Sequence, residues 1–117
     1  MKTTTLNFYE RIALAALVGA QGGRTAELST FLRIYEKVRI SEEERGATDL
    51  VQQGDRVEWK LPSPAFGTRS VGLEQEEAEA LSGIIEDFLS TVEKITVEEV
   101  AWRRRVVGDL KRKAPES

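Results

Sequence analysis

The sequence has no cysteine and no histidine among its 117 residues. The lack of cysteine excludes disulfides, thiolate nucleophiles and zinc–thiolate sites. The lack of histidine removes the side chain that most often serves as a general base near neutral pH and as a ligand of transition metals. Chemistry based on Ser–His–Asp, Cys–His or zinc is therefore excluded, and only carboxylate, lysine or tyrosine chemistry stays open. We expect a protein that is not an enzyme and that needs no cofactor or metal.

Long apolar segments are also scarce. The apolar run from Ile12 to Ala20 is interrupted only by Gly19 and has nine residues. A membrane-spanning helix needs about 20 apolar residues, so this run predicts a buried helix in a protein that makes no use of a membrane.

A strong excess of one charge is missing as well, since 17 basic and 20 acidic residues leave a formal net charge of −3. This balance suits a soluble protein and makes nucleic acid a less favoured partner. The charges are unevenly distributed: residues 1–101 carry 11 basic and 18 acidic side chains, whereas residues 102–117 carry 6 basic and 2 acidic ones. Together with the lack of cysteine, the composition predicts a cytoplasmic location.

The hydrophobic pattern predicts one domain, 1–117, that is mostly α (α+β) with four to five helices and one small antiparallel β-hairpin, in the order α-α-α-β-β-α-α. Its main element is a long helix at 74–95, in which apolar residues recur every three or four positions. A helical hairpin at 7–38 precedes it. Asn7 is predicted to cap its first helix, with Glu10 three residues later, and this helix is apolar nearly all round. The predicted buried row of its second helix is Leu28, Phe31, Leu32, Tyr35 and Val38.

Two further helices are indicated by capping boxes, in which a serine or threonine cap is followed three residues later by glutamate. Ser41 begins a short helix at 41–51, and Thr96 begins the last helix at 97–112. Between them, the period of the pattern changes from about four to two at 56–61, which predicts a half-buried strand. We expect this strand to pair with a second strand at 68–73 in a β-hairpin.

The only basic cluster of the chain is a candidate anion site. Trp102 is followed by Arg103, Arg104 and Arg105, and further basic residues occupy 111–113. Arginine is well suited to bidentate contacts with phosphates, which favours a nucleotide or a nucleic acid as ligand. The alternative interpretation is that cations stabilise the negative end of the last helix.

Five residues outside this cluster complete the candidate binding set. Lys60 and Arg69 are predicted to share the outer face of the hairpin, where they could bind an anion or form cross-strand ion pairs. Phe66 lies in the hairpin loop and is expected to be exposed to a partner. Arg24 begins the second helix and, with Arg69, could hold a nucleotide-like ligand between subunits. Trp59 belongs to the first predicted strand.

The order of helices and hairpin also resembles in outline a winged helix-turn-helix, in which the short third helix would read DNA. The first turn of that helix is Glu42, Glu43 and Glu44. A helix placed among phosphates is expected to be basic, so this alternative relies on the hairpin as a wing and on the basic last helix.

Four features resemble a group of small, mostly uncharacterised accessory proteins of tailed bacteriophages. They are the Leu6–Arg11 segment that opens an apolar helix, the Ile40–Glu44 capping box, the Trp59 strand, and a long helix followed by a short one. The resemblance covers about residues 6–95 and rests on caps and core positions. It implies an accessory viral protein that acts in the cytoplasm of a host bacterium.

We therefore expect a homo-oligomeric binding protein with an anti-defence role, which inhibits a host protein or sequesters a nucleotide-like signal. The grounds are the missing catalytic residues and the amount of apolar helix surface, which exceeds what a small core hides. The alternatives are a nucleic-acid-binding regulator and a component of the virion or of its assembly.

Overall fold

The chain folds, in a computed structural model that describes residues 1–112, into five helices and four short strands. In chain order they are β1 (Lys2–Leu6), α1 (Phe8–Gly19), α2 (Thr25–Val38), α3 (Glu42–Thr48), β2 (Val51–Gln53), β3 (Arg56–Glu58), β4 (Arg69–Leu73), α4 (Gln75–Thr91) and α5 (Val97–Lys111). The mostly helical class and the order of the helices are as predicted. Lys113, which belongs to the predicted basic cluster, lies outside the described residues.

The strand pairing differs from the prediction. The hairpin expected over 56–73 does not form, because β3 pairs with β2 and β4 pairs with β1, both antiparallel. A tight turn joins β2 to β3, and Gly54 within it has φ +60, a backbone conformation that glycine adopts without strain. Alternation shows that a segment is extended, but it does not say which strand is its neighbour. The strand β2 was not predicted, because the predicted short helix extends to residue 51, where β2 begins.

The strand β1 at the start of the chain was not predicted at all. It pairs with β4 so that Leu6 stands opposite Arg69 and Lys2 opposite Leu73. Thr4 and Leu6 are buried, whereas Thr3 and Thr5 are exposed. Its β-branched threonines and its alternation are strand signals, but five residues offer few periods in which to see them.

Most helix boundaries follow the capping signals. Asn7 and Ser41 begin α1 and α3 with complete capping boxes, and the Thr96 side chain accepts a hydrogen bond from the Glu99 amide. The helix α3 ends at Thr48, three residues early, because Asp49 takes a left-handed conformation with φ 50. The helix α4 ends at Thr91 rather than at residue 95, because the backbone is already extended at Val92.

The core lies between the helical hairpin, α4, α5 and the β1–β4 pair. The buried face of α2 consists of Thr30, Ile34 and Val38. Of the predicted buried row, Val38 is buried and Phe31 and Tyr35 are half-buried against the core, whereas the prediction is wrong at the two leucines. Leu28 and Leu32 are 41% and 59% exposed. The fully or nearly fully buried apolar residues form one cluster: Leu6, Leu14, Val18, Ile34, Val38, Val71, Leu73, Ala78, Leu81, Ile84, Ile85, Val106 and Leu110.

Arg11 of α1 is completely buried, and all of its N–H groups face an acceptor. Its Nε donates to the carbonyl oxygen of Val38 at 3.2 Å, and Nη1 and Nη2 donate to the carbonyl oxygens of Gly67 and Arg39, both at 2.7 Å. The same two nitrogens donate to the two carboxylate oxygens of Glu44 in α3. Arg11 therefore ties together α1, the end of α2, α3 and the turn before β4.

We expect Glu44→Gln to lower the free energy of unfolding by about 3 kcal/mol, because it leaves the buried Arg11 charge without its counter-ion. The loss can be measured by urea denaturation. Glu43→Gln is the matched control, since Glu43 lies in the same first turn of α3 and is exposed. It should cost less than about 1 kcal/mol. Equal losses in the two variants would contradict a special role of the Arg11–Glu44 pair.

The same pair predicts loss of stability in acid. The hydrogen bond from Arg11 lowers the pKa of Glu44 from 4.5 to about 2. Because the folded state binds the proton less well than the unfolded chain, the contribution of Glu44 is complete above pH 4.5 and disappears as the pH falls towards 2.

As the pH is lowered from 4.5 towards 2, the free energy of unfolding should therefore fall less steeply for Glu44→Gln than for the wild type. Part of the slope will remain because of Glu77. Burial by itself raises the pKa of Glu77, but hydrogen bonds from Lys37, the Glu74 amide and Arg33 outweigh it and lower the pKa. Parallel acid curves for the two proteins would refute the assignment to Glu44.

Candidate functional site

Three of the predicted binding residues come together around Tyr9 of α1, which the sequence analysis did not select. The Tyr9 ring stacks on Trp59 with 6.1 Å between ring centroids, and it meets the edge of Trp102 at 6.4 Å. Phe8 adds a tilted contact to Trp59 at 5.7 Å. Tyr9 is 41% exposed, so an aromatic row reaches the surface between α1 and α5.

Arg103 lies below this row and is buried. Its guanidinium carbon is 4.5 Å from the centroid of the Phe88 ring and 4.4 Å from that of Trp102. Burial lowers the pKa of Arg103, and the nearby Glu99 opposes this change. Nε and Nη1 are buried without a hydrogen-bond partner among residues 1–112, so the two aromatic faces are what stabilises this part of the cation.

Glu99 of α5 holds the cluster together through two hydrogen bonds and an ion pair. It accepts hydrogen bonds from the Tyr9 hydroxyl and from Nε1 of Trp102 at 3.0 Å, and it forms an ion pair with Nη2 of Arg103 at 3.2 Å. Both carboxylate oxygens are thus occupied by side chains of α1 and α5. Such a carboxylate is poorly placed to act as a general base, and the arrangement is best described as a clamp between the two helices.

The three consecutive arginines point in different directions and do not form one anion-binding face. Arg103 is buried, and Arg105 reaches back to Glu10 at 2.9 Å and to the carbonyl oxygen of Thr5 at 3.1 Å. Arg104 is exposed on the outer side of α5. The interpretation of this cluster as a single phosphate site therefore has little support from the geometry.

The remaining candidates belong to different segments of the fold. Arg24 is the exposed cap residue of α2, and its side chain makes no capping bond. Lys60 is exposed, and its backbone amide donates to the carbonyl oxygen of Thr48. Arg69 belongs to β4, which is in a different sheet from β3, so the predicted patch with Lys60 does not form. Phe66 was expected to be exposed and is half-buried instead.

A groove that the sequence analysis missed lies between α1, the end of α2, α3 and the β2–β3 pair. We call it the α1–α3 groove. It has a volume of about 310 Å³ and is lined by Ile12, Ala15, Ala16, Gly19, Tyr35, Arg39, Ile40, Arg45, Leu50, Gln52 and Val57. The sequence indicated this groove in that α1 is apolar on all sides. One apolar face packs in the core and a neighbouring one lines the groove.

A second uncovered surface adjoins this groove. Leu28, Phe31, Leu32 and Tyr35 lie on the outer side of α2, and we call them the α2 strip. Leu28 precedes Phe31 and Leu32 by three and four residues, and Tyr35 follows them by four and three, which puts all of them on one face of the helix. The two leucines are exposed and the two aromatic residues are half-buried. Tyr35 belongs to both surfaces, so the apolar area continues from the groove onto the strip.

Comparison with family models, with curated proteins and with solved structures found no match to the chain. The likeness to small phage proteins therefore stays an expectation from the sequence. Within residues 1–112, no helix combines the length and the apolar composition needed to cross a membrane.

The clamp predicts an unusual titration of Tyr9. The hydrogen bond to Glu99 raises the pKa of Tyr9 above 10.0, and burial and the negative charge of Glu99 add to this effect. Glu99→Gln should move the pKa back towards 10.0, because the charged acceptor is lost. The measurement is the absorbance of the phenolate as a function of pH, with Tyr9→Phe to assign the transition. An unchanged Tyr9 titration in Glu99→Gln would rule out this hydrogen bond.

Proposed function

We propose that the chain is a non-enzymatic binding protein that forms a homo-oligomer. The observation that carries this proposal is the α2 strip, in which Leu28 and Leu32 are exposed beside the half-buried rings of Phe31 and Tyr35. Single exposed leucines are common on protein surfaces, but a continuous row at helical spacing is typical of an interface. Leu32 alone is 59% exposed, and association with a second copy would remove this surface from water.

A second copy is the occupant that the strip fits best. Two α2 helices that pack antiparallel about a two-fold axis present the same apolar row to each other, as an isologous interface requires. Glu27 lies near one end of the strip and Arg39 near the other, and both are exposed. The exposed charged residues at the two ends of the strip, Arg24 with Glu27 and Glu36 with Arg39, are of both signs, so neither end carries an excess of one charge that would oppose association.

The biological setting rests on the resemblance to phage accessory proteins. In that setting, the oligomer would act in the cytoplasm of a host bacterium as an anti-defence protein. Its target would be a host protein or a nucleotide-like signal, and the α1–α3 groove beside the strip offers a place for such a ligand. A component of the virion or of its assembly is the alternative that shares the same uncovered strip, and detection in purified particles would favour it.

Binding of nucleic acid has less support from the geometry. The β2–β3 pair follows α3 as a wing would, but it spans only residues 51–58 and its Arg56 pairs with Glu58. Glu42 and Glu43 are exposed in the first turn of α3. Phosphate groups near that turn would be repelled. Affinity for duplex DNA that falls steeply with salt would nevertheless favour this alternative.

We expect Leu32→Glu to convert the oligomer into monomers, because a charge in the centre of the strip cannot be buried between two copies without a partner. The mass of the assembly can be measured by native mass spectrometry of protein purified from a bacterial lysate. Val97→Glu is the matched control, since Val97 is 86% exposed and lies in the first turn of α5. It should leave the assembly unchanged.

A monomeric wild-type protein at micromolar concentration would overturn the proposed oligomer. So would an oligomer that persists unchanged in Leu32→Glu. The same spectra test the binding role, because a small ligand retained from the lysate adds mass under native conditions that is lost on denaturation.

A further inference from the structure

We propose that the α1–α3 groove is a binding site for a nucleoside monophosphate or a ligand of the same chemistry, a phosphate ester attached to a planar ring. The inference names the ligand class of the binding protein proposed above, and it rests on that proposed function. The groove adjoins the α2 strip and shares Tyr35 with it, but Arg45 and Ala16 line only the groove and Leu32 lies only on the strip, so the two can be tested with separate variants.

The floor of the groove is suited to a flat apolar body. Ile12, Ala15, Ala16 and Gly19 lie along one face of α1, and three of these four side chains are small or absent. The Tyr35 ring closes one end, with a ring carbon 3.6 Å from the position that a Cβ on Gly19 would occupy. A nucleobase can lie on such a surface and contact the edge or face of the tyrosine.

The charge of the groove is entirely positive. Arg39 extends from the end of α2 and Arg45 from α3, and no acidic residue lines the groove. Arg45 forms no ion pair within residues 1–112. The only ion-pair partner of Arg39 in this part of the chain is Glu36, at 3.1 Å, and both side chains are largely exposed. A surface pair of this kind contributes little, so both guanidinium groups are available for a phosphate.

The backbone that carries the two arginines is held in place by Arg11. The carbonyl oxygen of Arg39 accepts a hydrogen bond from Nη2 of Arg11 at 2.7 Å. Arg45 directly follows Glu44, whose carboxylate binds the other side of the same guanidinium. The backbone at both arginines is therefore fixed by a buried ion pair before any ligand arrives, so only the two side chains have to be ordered on binding.

The size of the groove limits the ligand. Its volume of about 310 Å³ is near the lower end of the range of about 300–1,000 Å³ that is usual for small-molecule sites. It therefore fits one ring and one phosphate rather than a polymer. Gln52 of β2 adds a side-chain amide at the rim, which can both donate to and accept from the polar edge of a base.

The test is calorimetric titration of the full chain with the four common ribonucleoside monophosphates. Inorganic phosphate and the free nucleosides are titrated in parallel, because each represents one half of the nucleotide. At least one nucleotide should bind about tenfold more tightly than either half, because the ring and the phosphate contact different parts of the groove. Arg45→Gln should weaken that binding by about tenfold, the loss expected for one charge-assisted contact. Ala16→Phe should abolish it by filling the floor.

Lys94→Gln is the charge-matched control, because Lys94 is exposed and lies outside the groove, and it should bind as the wild type does. Thermal unfolding of each variant establishes that it is folded. The inference is overturned if no nucleotide binds better than inorganic phosphate, or if Arg45→Gln and Ala16→Phe bind normally. If no nucleotide binds although the wild type is an oligomer, the groove inference is refuted and the proposed oligomer is not. If a nucleotide binds and the wild type is a monomer, association through the α2 strip is refuted and the groove inference is not.

Discussion

The buried ion pair between Arg11 and Glu44 is the interaction on which the other features depend. A completely buried guanidinium is costly unless all of its donors are satisfied, and here four groups from three parts of the chain satisfy them. The same contacts set the end of α2 against α3, and so they form the walls of the α1–α3 groove. A change in this pair would alter stability and groove together.

The uncovered surfaces result from competition between two faces of the same helices. In α2, the face with Ile34 and Val38 packs in the core. The face with Leu28 and Leu32 is left outside, although it is at least as apolar. In α1, Arg11 and Leu14 point inward while Ile12 and Ala16 line the groove. A core of this size accepts one face of each helix, and the apolar residues of the other face become binding surface.

The candidate binding residues show which parts of a site can be predicted. Trp59, Trp102 and Arg103 do meet, but they meet around Tyr9 and Glu99 as a clamp between helices rather than as an open anion site. Consecutive arginines are visible in any sequence, whereas their separation onto three sides of α5 depends on the helix and its neighbours. Arg39 and Arg45 were overlooked because their proximity exists only after α2 and α3 pack against α1.

Local signals in the sequence determined the class of the fold, the caps at Asn7, Ser41 and Thr96, and the extents of α1 and α2. These features depend on contacts within a few residues, so the order of side chains along the chain is sufficient to specify them. Only the tertiary structure decided that β4 pairs with β1, that Arg11 is the centre of a buried network, and which face of α2 is covered. Each of these depends on free-energy differences between long-range packing alternatives, and a pattern read along the chain holds no information on which distant partner a segment meets.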